Sequence, residues 1–270
     1  MLSEELIQPA AVPEPAVSDD CAAQLAALRA EFEQRLAQRS AEFEAAIKQL
    51  EAFSYTVSHD LRAPLRAIDG LSKIVADDYG ELLPDTGRRY LALIRDSAQK
   101  MGRLITDLLS FSRAGRAELH KRPVNTQTLV AEALATLAPL CAGRQIDLRV
   151  HPLPPCHGDT ALLRQVWVNL LSNALKYSRQ REVAVIEVQG RLEGDGSVHY
   201  AVRDNGVGFD MRHAERLFGV FERLHEGDDI EGTGVGLAIV QQIVQRHGGG
   251  VTANALPGQG AIFEFHVPAA

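Results

Sequence analysis

Apolar residues at Leu25, Leu28, Phe32, Leu36, Phe43, Ile47, Leu50 and Phe53 recur at intervals of three, four or seven, with charges and glutamines between them. The intervals continue through Val57, Leu61, Leu65, Ile68, Leu71 and Val75. Such a repeat lays one apolar seam along a very long helix, and a seam of that length must be covered by another helix. The pattern predicts a coiled coil over residues 21–50; the alternative is a single amphipathic helix lying on a partner. The step Leu28, Phe32, Leu36 is two fours in a row, a stutter that locally unwinds a supercoil. Gly80 and Pro84 break the pattern within "DDYGELLPD", residues 77–85, which reads as a loop. Beyond it, Leu91, Ile94, Ala98, Met101, Ile105 and Leu108 alternate threes and fours without a fault. Two such helices form an antiparallel hairpin over 51–113. One hairpin cannot bury its own seam, so a dimeric four-helix bundle is expected.

The flanks differ in kind. Residues 1–20 carry Pro9, Pro13 and Pro15 with acids and no base, and are expected to stay disordered because little there offsets ordering entropy. Residues 114–122 read as a polar linker. From 123 to 270, strands alternate with helices. "QIDLRVH", "EVAVIEVQGRL", "SVHYAVRD" and "GAIFEFHV" read as strands, and helical patterns fall near 126–141, 159–178 and 234–247. That mixture predicts an α+β sandwich.

Composition excludes several functions. A net charge of −7 argues against a nucleic-acid face, which needs a basic surface. Three cysteines, Cys21, Cys141 and Cys156, stand far apart and suggest no disulfide framework, so a reducing compartment is the default. The longest apolar stretch, "LVAEALATLAPLCAG", is interrupted by Glu132 and Pro139, and no signal peptide is visible. A cytoplasmic protein with no membrane insertion is expected.

The chemistry lies in the second half. "DNGVGF" follows a strand, "GTGVGLAIV" opens a helix and "PGQGAIFEF" enters the last strand. A glycine turn feeding a helix N-terminus points amide hydrogens at an anion. A lone motif of this kind is weak, since glycine turns are common punctuation. It is joined here by Asn169 and Asn173, four apart on one helix face within "NLLSNALKYS". Asparagine carbonyls are hard oxygen ligands suited to magnesium, and Lys176, three residues further on, can reach a phosphate. Asp204 can accept from an exocyclic amine such as that of adenine, or simply shape a turn. His151, Cys156, His157 and Asp159 lie close together, but their spacing fits no zinc finger, and Asp159 is better read as a helix N-cap.

Together these stretches resemble the sensor histidine kinases. Residues 169–177, 204–208, "FGVFERLH" at 218–225 and 232–236 stand in the order of that family's N, G1, F and G2 boxes, and "SHDLRAPL" at 58–65 resembles its H box. The resemblance runs from about Leu50 to Pro268 and is strongest to the soluble, phytochrome-like branch. It implies that His59 accepts the γ-phosphoryl group of ATP through a ring nitrogen, with Asp60 orienting the ring or taking its proton. It implies that Asn173 holds magnesium, with Asn169 assisting and Lys176 on phosphate. Tyr177 would line the pocket and Asp204 would read adenine. Gly206 and Gly208 would shape the pocket and the start of a lid running to about Gly232, with Gly234 and Gly236 cradling phosphates. The implied partners are a second copy of the chain, a response-regulator receiver domain acting in trans (none fits after Pro268), and a separate sensor module or partner. Rival readings are an ATPase or serine kinase sharing only the ATP-binding fold, and a non-enzymatic dimeric scaffold.

Two details of the H box bear on mechanism. Pro64 has no N–H for the carbonyl of Asp60 and its ring crowds that carbonyl, so the helix is expected to kink or loosen just after His59. In many relatives the fourth residue after the histidine is threonine or asparagine and positions a hydrolytic water. Here it is Ala63, which has no donor or acceptor to hold one.

Overall fold

The computed structural model of the chain describes residues 19–116, 118–222, 224 and 232–270; the side chains of 19–23, 25, 26, 43, 44, 46–55 and 59 lie outside that description. The chain divides into two compact units, Met1–Phe53 and Ser54–Ala270. Among the described residues no helix is long and apolar enough to cross a membrane.

In the first unit the chain is helical from Asp19, so Asp19 and Asp20 correct the expected disordered stretch at its end; residues 1–18 lie outside the description. Charge pairs one turn apart, such as Arg35 with Glu31 at 2.8 Å, decorate this helix. Leu28, Phe32 and Leu36 are all more than half exposed, so the single chain leaves that part of the seam open. The side chains of Leu25, Phe43, Ile47, Leu50 and Phe53 fall outside the description.

The helix, α1 (Asp19–Tyr79), continues into the second unit and is unbroken through Pro64. It is followed by α2 (Asp85–Ala114), which runs back antiparallel. Asp69 accepts from Arg95 at 3.3 Å and Gln99 at 3.0 Å, and Arg62 donates to Thr106 at 3.3 Å. The connection is shorter than the expected loop. Asp77, Asp78 and Tyr79 remain in α1 and Asp85 opens α2. Backbone and side chain both hold it: Leu82 and Leu83 donate their N–H groups to the Tyr79 carbonyl at 3.0 and 3.2 Å, and the Arg88 guanidinium donates to the carbonyls of Gly80 and Leu83, both at 2.9 Å. Leu61, Ile68, Leu71, Ile74, Ile94 and Met101 each keep more than two fifths of their surface exposed. The single chain therefore leaves much of the hairpin's apolar seam exposed.

After α2 come β1 (Arg122–Val124), α3 (Thr126–Leu137), β2 (Gln145–Val150), β3 (Cys156–Gly158), α4 (Thr160–Tyr177), β4 (Val183–Leu192), β5 (Ser197–Asp204), α5 (Gly236–Arg246), β6 (Gly250–Leu256) and β7 (Gly260–Pro268). The helix expected over 126–141 ends at Leu137 and continues only as a 3-10 turn, Ala138–Cys141, because Pro139 cannot donate to the helical ladder. Five strands form one sheet in the order β2-β4-β5-β7-β6, antiparallel except for the parallel pair β2 and β4. Along β7, Phe263, Phe265 and Val267 turn inward while Ile262, Glu264 and His266 are half exposed. The three helices cover the inward face. Trp167 of α4 stands edge-on to Tyr200 at 5.4 Å and Phe265 at 5.2 Å, joining helix layer to sheet.

Three of the four residues of the cysteine–histidine cluster go to different partners. His151 pairs with Glu187 at 2.8 Å, Cys156 is buried beside Thr126, and Asp159 caps α4 by accepting from the N–H groups of Ala161 and Leu162. Buried His247, at the end of α5, accepts the N–H of Asp159 on Nε2 at 2.9 Å, so Nδ1 carries the proton that reaches the Ile243 carbonyl at 2.8 Å. This neutral imidazole ties the start of α4 to the end of α5, the two helices that flank the site.

Candidate active site

One cleft of about 210 Å³ opens among α4, the turn after β5, the glycine turn before α5 and the inner face of α2. Of the residues expected at the site, Asn169, Asn173, Lys176, Tyr177, Asp204, Gly208, Gly232, Gly234 and Gly236 line it. Helical periodicity puts Asn169, Asn173, Lys176 and Tyr177 on one side of α4, while Leu170, Leu171, Ala174 and Leu175 are buried in the core. Gly206 is not a lining residue; it is buried, and its N–H donates to Asp204 Oδ1 at 2.8 Å. Asp60 is exposed on α1 and does not line the cleft, and the side chain of His59 lies outside the description. Much of the expected lid falls on 223 and 225–231, also outside it.

The N-termini of the helices differ in a way that bears on anions. Asn125 caps α3 and Asp159 caps α4 with side-chain oxygens. The residue before α5 is Val235, with no side-chain cap, so the first amides of α5 are left for another acceptor where the helix dipole favours negative charge. Close packing brings α4 to this end. A Cβ on Gly236 would stand 2.8 Å from Asn169 Oδ1, so glycine is what lets the asparagine oxygen approach the helix start. Asn169 Nδ2 is held by the Gln165 carbonyl at 2.9 Å, which orients that oxygen. Gly208 has φ +61, and a Cβ there would lie 2.0 Å from the Leu256 carbonyl, so the turn after β5 can close against the β6–β7 hairpin only with glycine. Two amide oxygens, a lysine, uncapped helical amides and a buried carboxylate fit a nucleoside triphosphate with its magnesium. Phe209 and Phe263, with ring centroids 6.1 Å apart, add an apolar wall.

Asp204 is 5% exposed. Burial pushes its carboxyl up to about 6, against the N–H groups of Gly206 and Ala261 and the charge of Arg181, which pull it back. The folded carboxyl keeps, between its ordinary 3.8 and about 6, a proton that the unfolded chain has lost. Folding stability therefore falls as pH rises across that window, and the penalty is complete above it. Asp204→Asn cannot ionise. It should be more stable than the parent above pH 6, by at most about 3 kcal/mol from the size of the shift, and should match it in strong acid, while ADP affinity drops roughly tenfold or more. Thermal unfolding from pH 4 to pH 8 with and without ADP measures both; equal stability at pH 8 would show that the carboxylate carries no burial penalty.

Sequence reasoning missed several residues at the cleft. Asp107 of α2 lines it and accepts a hydrogen bond from Thr233 in the glycine turn. Glu222 lines it as well. Asp107 is 126 positions from Thr233, and no local pattern marks either as a partner.

Residues 49–117 match the His Kinase A (phospho-acceptor) domain, and residues 158–270 match the histidine kinase-, DNA gyrase B-, and HSP90-like ATPase. The chain is 35% identical over 233 residues to cyanobacterial phytochrome B of Nostoc sp., covering 85% of this chain and 31% of that protein. It is 37% identical over 234 residues to the methanogenesis regulatory histidine kinase FilI of Methanothrix harundinacea, covering 86% of this chain and 26% of that one. The chain thus spans less than a third of the length of these relatives. Among solved structures it is similar to full-length ShkA in complex with AMPPNP, with a TM-score of 0.61 and 30% identity over 81% of this chain and 46% of that one. It shares its fold with the histidine kinase AdeS of Acinetobacter baumannii, with a TM-score of 0.53 and 19% identity over 78% of this chain and 98% of that one. A phospho-acceptor helical region is followed by an ATPase sheet domain in one chain and in this order, and by that pair of domains the chain belongs to the sensor histidine kinase family.

Proposed function

We propose that this chain phosphorylates itself on His59 from ATP and passes the phosphoryl group to an aspartate on a response-regulator receiver domain in trans. The observation that carries the reading is the uncapped start of α5 beside Asn169, Asn173 and Lys176, in a chain that also holds a phospho-acceptor helix. In this reading the amides of α5 and the turn around Gly234 and Gly236 hold phosphate oxygens, Lys176 adds a positive charge, and Asp204 accepts the adenine amine. Asn173 holds magnesium with Asn169 assisting, and the metal, when bound, neutralises charge on the triphosphate. A ring nitrogen of His59 forms a bond to the γ-phosphorus as the bond to the β–γ bridging oxygen breaks, releasing ADP, and Asp60 orients the ring or receives its proton. Such transfer depends mostly on positioning and charge neutralisation. The exposed seam residues Leu61, Ile68, Leu71 and Ile94 support pairing with a second copy in a four-helix bundle. The proposed setting is the cytoplasm, where ATP is available. Incubation with γ-labelled ATP and magnesium tests the reaction: label that is lost in acid and kept in base marks phosphohistidine, and acid-stable label would point instead to a serine kinase.

The H box adds a second expectation. Ala63 is exposed on α1 and offers nothing to hold a water, and its polar neighbour Arg62 is engaged with Thr106. In-line hydrolysis of a phospho-aspartate depends on water placement. The chain should therefore be a weak phosphatase toward its regulator. Ala63→Thr should speed decay of purified phospho-regulator in the presence of ADP, by up to roughly tenfold for one recovered hydrogen bond to the water, with autophosphorylation little changed. Brisk decay with the parent, not increased by the substitution, would rule this out.

A further inference from the structure

The adenine end of the cleft rests on a turn with no regular structure of its own. Residues 205–208 leave β5: Asn205 still donates its N–H to the Val185 carbonyl of β4 at 3.2 Å, but Gly206 and Gly208 beyond it have no strand partner. Three sets of hydrogen bonds brace them. Val207 donates to the Tyr177 carbonyl at 3.2 Å, and Gly258 donates to the Val207 carbonyl at 2.6 Å. Asn205 bridges back to β4, accepting from Val185 at 3.0 Å and donating to the Val183 carbonyl at 3.0 Å. The third brace is a single side chain. Arg181, in the loop between α4 and β4, donates from Nε to the Asn205 carbonyl at 2.7 Å and from Nη2 to the carbonyls of Gly206 at 2.9 Å and Gly258 at 2.5 Å. It does not line the cleft.

We propose that Arg181 is a positioning residue for nucleotide recognition, clamping the turn after β5 to the β6–β7 hairpin so that the Asp204 carboxylate is held where adenine is read. The inference rests on the reading of Asp204 as the adenine contact. A planar guanidinium suits the task because its donors lie in a fixed fork, and two successive carbonyls aimed at one fork fix the peptide planes between them. With those planes fixed, the Gly206 N–H is aimed at Asp204 Oδ1. A lysine could supply the charge but not the fork. Arg181 also acts on Asp204 through its charge, which favours the ionised carboxylate. The other charged or titratable groups lining the cleft are Lys176 and Tyr177 from α4, Glu222 from the segment before α5, and Asp107 from α2; the strand partners in register with Asp204, Ile186 of β4 and Ala261 of β7, carry no charge.

The test is ADP affinity as a function of pH for the parent, Arg181→Gln, Arg181→Lys and Asp204→Asn, with thermal unfolding alongside. The parent should lose affinity as pH falls through about 6, where Asp204 takes up its proton. Arg181→Gln should bind roughly tenfold more weakly at pH 7, and its loss of affinity should begin at higher pH, so that part of the deficit is recovered at pH 8.5. Arg181→Lys should restore the position of the pH profile but not the full affinity, and it keeps the question open to measurement should the glutamine variant not fold. Parent-like affinity in Arg181→Lys, or an unshifted pH profile in Arg181→Gln whether or not its thermal stability is lower, would overturn the proposal. If Asp204→Asn binds ADP as tightly as the parent, the adenine reading itself fails and this inference falls with it.

Discussion

His59→Gln should bind ATP as the parent does and carry no phosphate that is lost in acid and kept in base. Glutamine keeps a polar side chain and helix-compatible backbone at that position of α1, but its amide nitrogen is no nucleophile. The walls of the cleft come from α4, α5, the turns around them and α2, so the substitution leaves the nucleotide's contacts untouched. The two halves of the reaction therefore separate. ADP titration should give an unchanged dissociation constant, while labelling from ATP should fall below detection, a loss of at least roughly a thousandfold, since the acceptor itself is gone. Acid-labile, base-stable label persisting in the variant would move the acceptor to another residue. Mixing the variant with a second copy that is intact at His59 but lacks Asp204 would then show whether one protomer's cleft serves the other's helix.

Asn173→Ala should fail at the other half. Alanine is the best helix former and Asn173 is only half-buried on α4, so the domain should stay folded and unfold at an unchanged or higher temperature. What is lost is a hard oxygen at the cleft, beside Lys176 and one turn from Asn169. Autophosphorylation should fall roughly a hundredfold or more, the scale seen when one preorganised electrostatic partner is removed from a reacting centre. The deficit should shrink as magnesium is raised, because weakened metal binding is restored by mass action. Near-normal activity at low magnesium would mean that Asn173 is not the metal residue. A deficit insensitive to magnesium would give it a role in shaping the cleft instead.

The residues that carry chemistry were legible in the sequence because their spacing is local. Asn169, Asn173 and Lys176 share a helix face by periodicity alone, and Gly234 and Gly236 stand at a helix start that the pattern near 234–247 already marks. Four strands of the sheet were legible by their alternation, since one face is apolar and the other wet. Strand β6 was not. "GVTANAL" offers small residues, Val251, Ala253 and Ala255, on its inner side, and it becomes a strand through its register with β7 at the sheet edge. The short strands β1 and β3 likewise exist through pairing with each other, Val124 opposite Cys156.

By itself the sequence determined that a long helical seam precedes an α+β domain with a phosphate-binding glycine turn, because helix period, strand alternation and glycine placement are all properties of neighbouring residues. Only the tertiary structure decided that Arg181 clamps the carbonyls of residues 205, 206 and 258, that Asp107 reaches Thr233, and that α5 starts without a cap while α3 and α4 have theirs. It also decided that burial pushes the Asp204 carboxyl up to about 6. Each of these depends on what lies next to a group in space, where hydrogen-bond partners and desolvation are set by residues tens of positions away, and no local pattern records them.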